Sequence, residues 1–444
     1  MNEINEPYLV ILQGKSILYD SDGSVHQYDE GKLSIEAKRR SQYVKSQLEH
    51  GYLEHLIKEC YIPNINHDVL CQEHKNVLEK LVNSVTSEVG RAIVGLSVLQ
   101  LTIKSLSPQQ SIRLHKGSTQ SGSFSWSEGI AMRVLDKNFI TPVLRKYELL
   151  RLNADGFMMT RSLAENYPYS KLYKAAIKGG REEWLTLVDL MENGELDAEA
   201  GLRFLITQLI KKSESFKRIA DCLLQKTEKY LLSNPTFEDI FKVICDFIND
   251  STYSARILEI AMHSLFPDLN TKKCLAGYLV PLSQMRSANK KHGNIGDIEL
   301  SYSNNGNDII ESWDAKFGKA YLRDELEELH EKLNFHPIAE NVGFVTDATP
   351  NLKEEIITRV EELEMTHNVK IHIVDFKTWV FSQIEQHSLD YNEVGKIWLI
   401  ALVETICLKR RDIAPIDEPT NQWIEEFSHI LDSKSQMHSL LYRL

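Results

Sequence analysis

The segment GDIELSYSNNGNDIIESWDAK, Gly296 to Lys316, constrains the fold more than any other stretch of the chain. Polar and apolar residues alternate on both sides of Asn305–Gly306, the pattern of two strands joined by a tight turn. A two-residue type I′ turn there would pair Ser303 with Asp308 and, further out, Glu299 with Ser312 and Asp297 with Asp314. Directly opposed residues have Cβ atoms about 4.5–5.5 Å apart. Side chains alternate between faces, so Lys316 shares the face of Asp314. Two bare carboxylates that close repel each other unless a cation lies between them or one is protonated. The opposite face carries Ile298, Leu300, Ile309, Trp313 and Phe317 and reads as a core face. Glu311 falls on it and Ile310 does not, so a bulge would shift the register by one. The other reading of the stretch is a hairpin whose charges face water.

The surrounding grammar gives that hairpin a context. From about residue 30 to 293 the pattern is almost all helical, including Val82–Lys104 and stretches near 161–178, 182–192, 198–212, 214–232, 236–249 and 251–266. Thr141–Pro142 reads as an N-cap followed by proline at the first helical position. Beyond Asn294 the order becomes helix, strand, strand, helix, strand, helix, strand. Tyr321–Leu333 and Leu352–Met365 are the helices, and Asn341–Val345 and Val369–Val374 the later strands. Glu393–Leu444 is helical again. The expected fold is mixed α+β: a largely helical region over 1–235, then an α/β core over 236–444 with a mixed sheet flanked by helices.

Bulk properties narrow the class. With 444 residues, 42% hydrophobic and 26% charged, the chain has the composition of a globular protein of one to three domains. No apolar run is long enough for a membrane span, and MNEINEPYLV lacks a signal-peptide core, so a cytoplasmic protein without a membrane partner is expected. The six cysteines are scattered without CxxC spacing and read as reduced, mostly buried thiols. A net charge of −12 excludes a generally cationic surface but leaves room for one basic face.

Asp297 followed by Asp314-Ala315-Lys316 resembles the signature of the PD-(D/E)XK nucleases, the superfamily of type II restriction endonucleases, with Gly296 where the proline would stand. The resemblance covers about residues 250–380, and VKIHIVDF resembles the family's final core strand. It implies a restriction-endonuclease-like core and Mg²⁺-dependent phosphodiester hydrolysis, with Mn²⁺ as a substitute. Asp297 and Asp314 would hold the metal, which activates a water and offsets phosphate charge. Lys316 would orient the nucleophile or help deprotonate it. Glu259, in ARILEIAMHSLF, is the counterpart of the family's helical glutamate. Products would carry 5′-phosphate and 3′-hydroxyl ends.

Phosphate contacts would come from basic residues near that site: Arg286, Lys290 and Lys291 before the hairpin, Lys319 and Arg323 after it. In SIRLHKGSTQSGSFSW, Arg113, Lys116, Ser118, Thr119 and Gln120 could meet backbone or base edges. Residues 124–152 have the outline of a helix-turn-helix, and TRSLAENYPYSKLYKAA is basic and aromatic. His263 and His372 read as structural. The expectation is a site-specific endonuclease on double-stranded DNA, a homodimer if its target is palindromic. The absence of a Walker A motif points to no nucleotide cofactor. The alternatives are another nuclease of this fold, serving repair, modification-dependent cutting or defence, and a non-catalytic helical DNA-binding protein.

Overall fold

An unexpected three-stranded antiparallel sheet opens the fold: β1 (Tyr8–Leu12), β2 (Lys15–Tyr19) and β3 (Val25–Asp29). Gln13–Gly14 closes the first hairpin and pairs Leu12 with Lys15. Gly14 takes φ +83°, the left-handed region that glycine enters without a Cβ penalty. Only Ser16 and Leu18 of the three strands are buried, so the apolar alternation that announces a half-buried sheet is weak here.

The computed structural model describes residues 6–441 apart from 21–22, 63–67, 85–87, 121, 123, 151, 153–154, 160, 176, 178, 272–274, 276, 283–293, 304–307 and 409–419. It divides into two units, Met1–Ser215 and Phe216–Leu444.

Helices make up most of the first unit: α1 (Ile35–Glu49), α2 (Tyr52–Cys60), α3 (Gln72–Asn83), α4 (Glu88–Leu106), α5 (Met132–Leu135), α6 (Thr141–Lys146), α7 (Arg181–Glu192) and the first half of α8 (Ala198–Leu232), whose residues from Phe216 on belong to the second unit. Three details correct the sequence reading. First, α5 and α6 are joined by a π-helical turn, Asp136–Ile140, so residues 132–146 form one winding segment and no helix-turn-helix. Thr141 is itself helical, and its hydroxyl donates to the buried Asp136 carboxylate at 2.5 Å instead of capping a helix. Second, the stretch 161–178 holds only the 3₁₀ turn Arg161–Leu163 among its described residues. Pro168 breaks the helical pattern, and Tyr169 and Tyr173 are buried against Trp184. Third, the two helices expected over 198–232 are the single α8.

The second unit follows the expected element order with one strand added: the helical pattern expected up to residue 293 misses β4 (Tyr278–Leu279), which pairs on the edge of the hairpin. Helices α9 (Phe237–Asp250) and α10 (Ser254–Thr271) precede a five-stranded sheet of order β4 (Tyr278–Leu279), β5 (Ile298–Ser301), β6 (Ile309–Lys316), β7 (Asn341–Thr346) and β8 (Lys370–Asp375). Strands β4, β5 and β6 pair antiparallel, while β6, β7 and β8 pair parallel. The connections are α11 (Arg323–Leu333) and α12 (Glu354–His367); α13 (Phe376–Gln386), α14 (Tyr391–Leu408) and α15 (Thr420–Leu441) complete the chain. The sheet is therefore mixed and covered on both sides, as parallel strands require. Ile309, Val342 and Phe344 pack with Leu326 and Leu329 of α11 and Leu363 of α12. On the other face Ile298, Leu300, Trp313 and Val345 join Leu258 and Phe266 of α10, Trp379 of α13 and Trp398 of α14. Each such large apolar side chain, fully buried, contributes about 1.5–3 kcal/mol.

Register is the property on which the acid pair depends. Ile298 pairs with Trp313, Glu299 with Ser312 and Leu300 with Glu311, the pairing expected from the alternation. Nearer the turn a bulge intervenes: Ser301 pairs with Ile309, leaving Ile310 as the extra residue. Two consecutive residues of β6, Ile310 and Glu311, then serve the core face, which removes the anomaly in the alternation. Asn305–Gly306 lies outside the described residues. The bulge means that this dipeptide alone does not set the register of the acids.

Candidate functional site

Asp297 directly precedes β5, and its backbone N–H donates to the Trp313 carbonyl at 3.0 Å. This places it across from Asp314, near the C-terminal end of β6. The Asp297 Oδ2 accepts the Ala315 N–H at 3.0 Å. Lys316 Nζ lies 2.8 Å from Asp314 Oδ2, with both side chains less than a fifth exposed. The opposed carboxylates and adjacent lysine expected from the register are thus assembled.

Glu259 belongs to the same electrostatic group. It stands on α10, is 8% exposed and forms an ion pair with Arg256 one turn earlier on the helix. Burial raises its pKa, Arg256 opposes that, and Asp314 pushes it up further. The carboxylate of Asp297 is crowded by protein atoms although the residue as a whole is exposed at the end of its loop. Desolvation, the charges of Asp314 and Glu259, and a hydrogen bond with Asp314 hold its pKa well above the usual carboxylate range. Burial alone would lower the Lys316 pKa, but Asp314 outweighs it, aided by Asp297 and Glu325, and the pKa is raised. Lys316 is therefore a firm cation.

These groups meet one requirement of a metal centre and leave another open. Two carboxylates this close have the donor chemistry for Mg²⁺, which takes one or two protein carboxylates and keeps several waters. Among the described residues, however, no three or more His, Cys, Asp or Glu side chains are grouped as a ligand set.

Several residues at the site carried no sequence signal strong enough to single them out. Glu325 of α11 is 8% exposed, pairs with Lys319 and lines a small depression with Asp314, Ser312 and Lys332. Its position between Leu322 and Leu329, on the apolar stripe of the helix, was the available clue. Arg256 is 3% exposed and explains how Glu259 stays buried. Glu299, facing Ser312 as expected, accepts the Ile295 N–H at 2.6 Å and the Gly296 N–H at 3.3 Å. Burial pushes its pKa up to about 7 against these hydrogen bonds and the charge of Lys332. The glycine at 296 has a local cause. A Cβ there would come within 2.7 Å of Ser312 Oγ and 2.9 Å of the Trp313 carbonyl oxygen, so no proline fits.

The expected DNA contacts fare unevenly. Arg286, Lys290 and Lys291 lie outside the described residues. Lys319 is exposed beside Glu325, and Arg323 is ion-paired with Glu327 at 2.5 Å. Arg113 is not a surface group: it is 4% exposed, with its guanidinium donating to the Tyr169 carbonyl and to Asp189, each at 2.7 Å. A buried guanidinium needs those partners to stay charged. Lys116 is half-buried, bonded to Asn166 and set over the Phe124 ring. The Ser118 hydroxyl accepts the Gln120 N–H at 3.0 Å, while Thr119 and Gln120 are exposed. His263 bonds the Val280 carbonyl and His372 lies against the Trp313 ring. No protein-family model matches the chain, and no curated protein matches it in sequence.

Proposed function

We propose that this protein is a Mg²⁺-dependent endonuclease that cuts double-stranded DNA at a specific sequence, in the manner of type II restriction endonucleases. The observation that carries the reading is the opposition of Asp297 and Asp314 across β5 and β6, with Lys316 bound to Asp314 at 2.8 Å. Its likeness to the PD-(D/E)XK signature gives the reaction class. Asp297 and Asp314 would hold the cation; when bound, it would lower the pKa of a water and neutralise charge on the scissile phosphate. Lys316, kept positive by its carboxylate neighbours, serves as a fixed charge for a phosphate oxygen. That protonation state favours an orienting and charge-stabilising role over proton abstraction. Arg256 pairs with the buried Glu259 and opposes the loss of charge that its burial favours, next to the acid pair. A palindromic target would be met by two copies related by a two-fold axis.

The second reading, a hairpin without catalysis in a DNA-binding protein, draws on the absence of a three-ligand group among the described residues. One experiment separates the readings. Plasmid DNA is incubated with the protein in Mg²⁺ and in EDTA. Discrete Mg²⁺-dependent fragments are expected; smearing would indicate a less specific nuclease of the same chemistry, and intact plasmid would overturn the proposal. Asp314→Ala should reduce cutting by about 10²–10³-fold, the scale of losing a principal charge-stabilising group, while DNA binding in Ca²⁺ persists.

A further inference from the structure

We infer that Glu299 and Lys332 are positioning residues that fix Asp297 opposite Asp314 by clamping the loop before it; this rests on the metal-site reading above. Asp297 lies just before β5, held on one side by its N–H on the Trp313 carbonyl and on the other by the chain that leads into it. Side chains from two other elements capture that chain. Glu299, on β5, takes the Ile295 N–H at 2.6 Å and the Gly296 N–H at 3.3 Å on one oxygen, and the Asn294 amide at 3.1 Å on the other. Lys332, on α11, donates from Nζ to the Ile295 carbonyl at 2.9 Å. Both backbone groups of Ile295 are therefore held by side chains, one from the sheet and one from the helix covering it.

The packing leaves the loop little alternative. Ile295 is 2% exposed within the apolar cluster between the sheet and α11. Gly296 passes so close to β6 that even a methyl group would meet the Trp313 backbone. Glu299 is itself 3% exposed, and removing its carboxylate takes away the acceptor of the Ile295 and Gly296 N–H groups. The loop would then carry unpaired buried N–H groups and relax toward other partners. Asp297 follows directly in sequence and would move with it. The acid pair tolerates little movement, because a shared cation needs both oxygens at fixed separation. Groups that orient metal ligands from behind typically change metal affinity by about 10–100-fold when removed.

The test uses the full-length protein. Mn²⁺ affinity is measured by electron paramagnetic resonance without DNA, alongside steady-state cleavage at rising Mn²⁺. Lys332→Met keeps the apolar stem and loses the donor; Glu299→Ala removes the acceptor, and Glu299→Gln keeps one. Lys332→Met and Glu299→Ala should bind Mn²⁺ about 10–100-fold more weakly, with Glu299→Gln recovering much of the loss. Excess Mn²⁺ should restore kcat in Lys332→Met, which a general loss of structure would not permit. Should Glu299→Ala fail to fold, Lys332→Met alone decides. Wild-type affinity in Lys332→Met would overturn the clamp while leaving the metal site standing. A wild-type protein that neither binds Mn²⁺ nor cuts DNA would overturn the site reading and the clamp together.

Discussion

Buried carboxylates in the second unit each find a donor, and the donor tells what the carboxylate does. Glu311 lies on the core face because the Trp313 indole N–H donates to it at 2.7 Å. Glu259 has Arg256, and Glu299 has the loop before Asp297. Asp297 differs, since its side chain shares a hydrogen bond with a second carboxylate, Asp314, and that difference singles it out. In the first unit, His115 shows the same physics with the opposite sign. It is 2% exposed, stacked on Tyr169, and burial followed by the charge of Lys116 lowers its pKa from 6.5 to about 3. The folded chain keeps it neutral while the unfolded chain protonates near 6.5. Its contribution to stability is thus present above pH 6.5 and lost as pH falls toward 3. Each pH unit in that window removes about 1.4 kcal/mol. His115→Phe should unfold with a shallower loss of stability between pH 6.5 and 5 than wild type; parallel pH profiles by denaturant titration would refute the assignment.

At the scale of elements, the hairpin is held by three devices of different range. Alternation gives the pairing of Ile298 with Trp313, the bulge absorbs the extra Ile310, and parallel pairing with β7 sets Asp314 beside Phe344. Strand β7 carries Gly343 where the Trp313 ring crosses it; a Cβ there would lie 2.5 Å from that ring and 2.8 Å from the His372 carbonyl oxygen. Gly343→Ala should therefore push the indole or the strand aside and cost about 1–3 kcal/mol. Because Trp313 accepts the Asp297 N–H on its carbonyl, the same change should also weaken metal-dependent cutting. Urea unfolding read through Trp fluorescence measures the first effect, and an unchanged midpoint would rule it out. The bulge was legible only as an anomaly, since neither face of an isolated strand reveals which residue is surplus.

At the scale of the molecule, two units of similar length carry different burdens. The second holds the acid pair, Lys316 and Glu259 together, whereas Arg113 and Lys116 of the first are taken up by its own packing. A net charge of −12 attracts divalent cations non-specifically, so specific binding has to be shown by the effect of one residue. A ligand that binds only the folded state stabilises it by about 2.7 kcal/mol at a hundredfold excess over Kd. Calorimetry with Mg²⁺ at that excess should raise the unfolding temperature of wild type by on the order of 5–10 °C. Asp297→Asn should lose that response and keep its metal-free unfolding temperature or exceed it, as one of two repelling charges is gone. An equal Mg²⁺ shift in both proteins would place the cation elsewhere.

What the sequence determined by itself is local. Period-2 alternation between Gly296 and Lys316 was enough for the opposition of Asp297 and Asp314 with Lys316 beside them. Side-chain direction along a strand follows from the backbone alone, so it can be counted without knowing the neighbours. Tertiary structure decided which charges are free and which are consumed. Arg113 met Asp189, 76 residues away, and Lys332 met the Ile295 carbonyl, 37 residues away. It also decided the bulge at Ile310 and the glycine at 296, both set by contacts with a neighbouring strand. Such contacts depend on distances that chain closure sets, and no residue pattern along the chain encodes them.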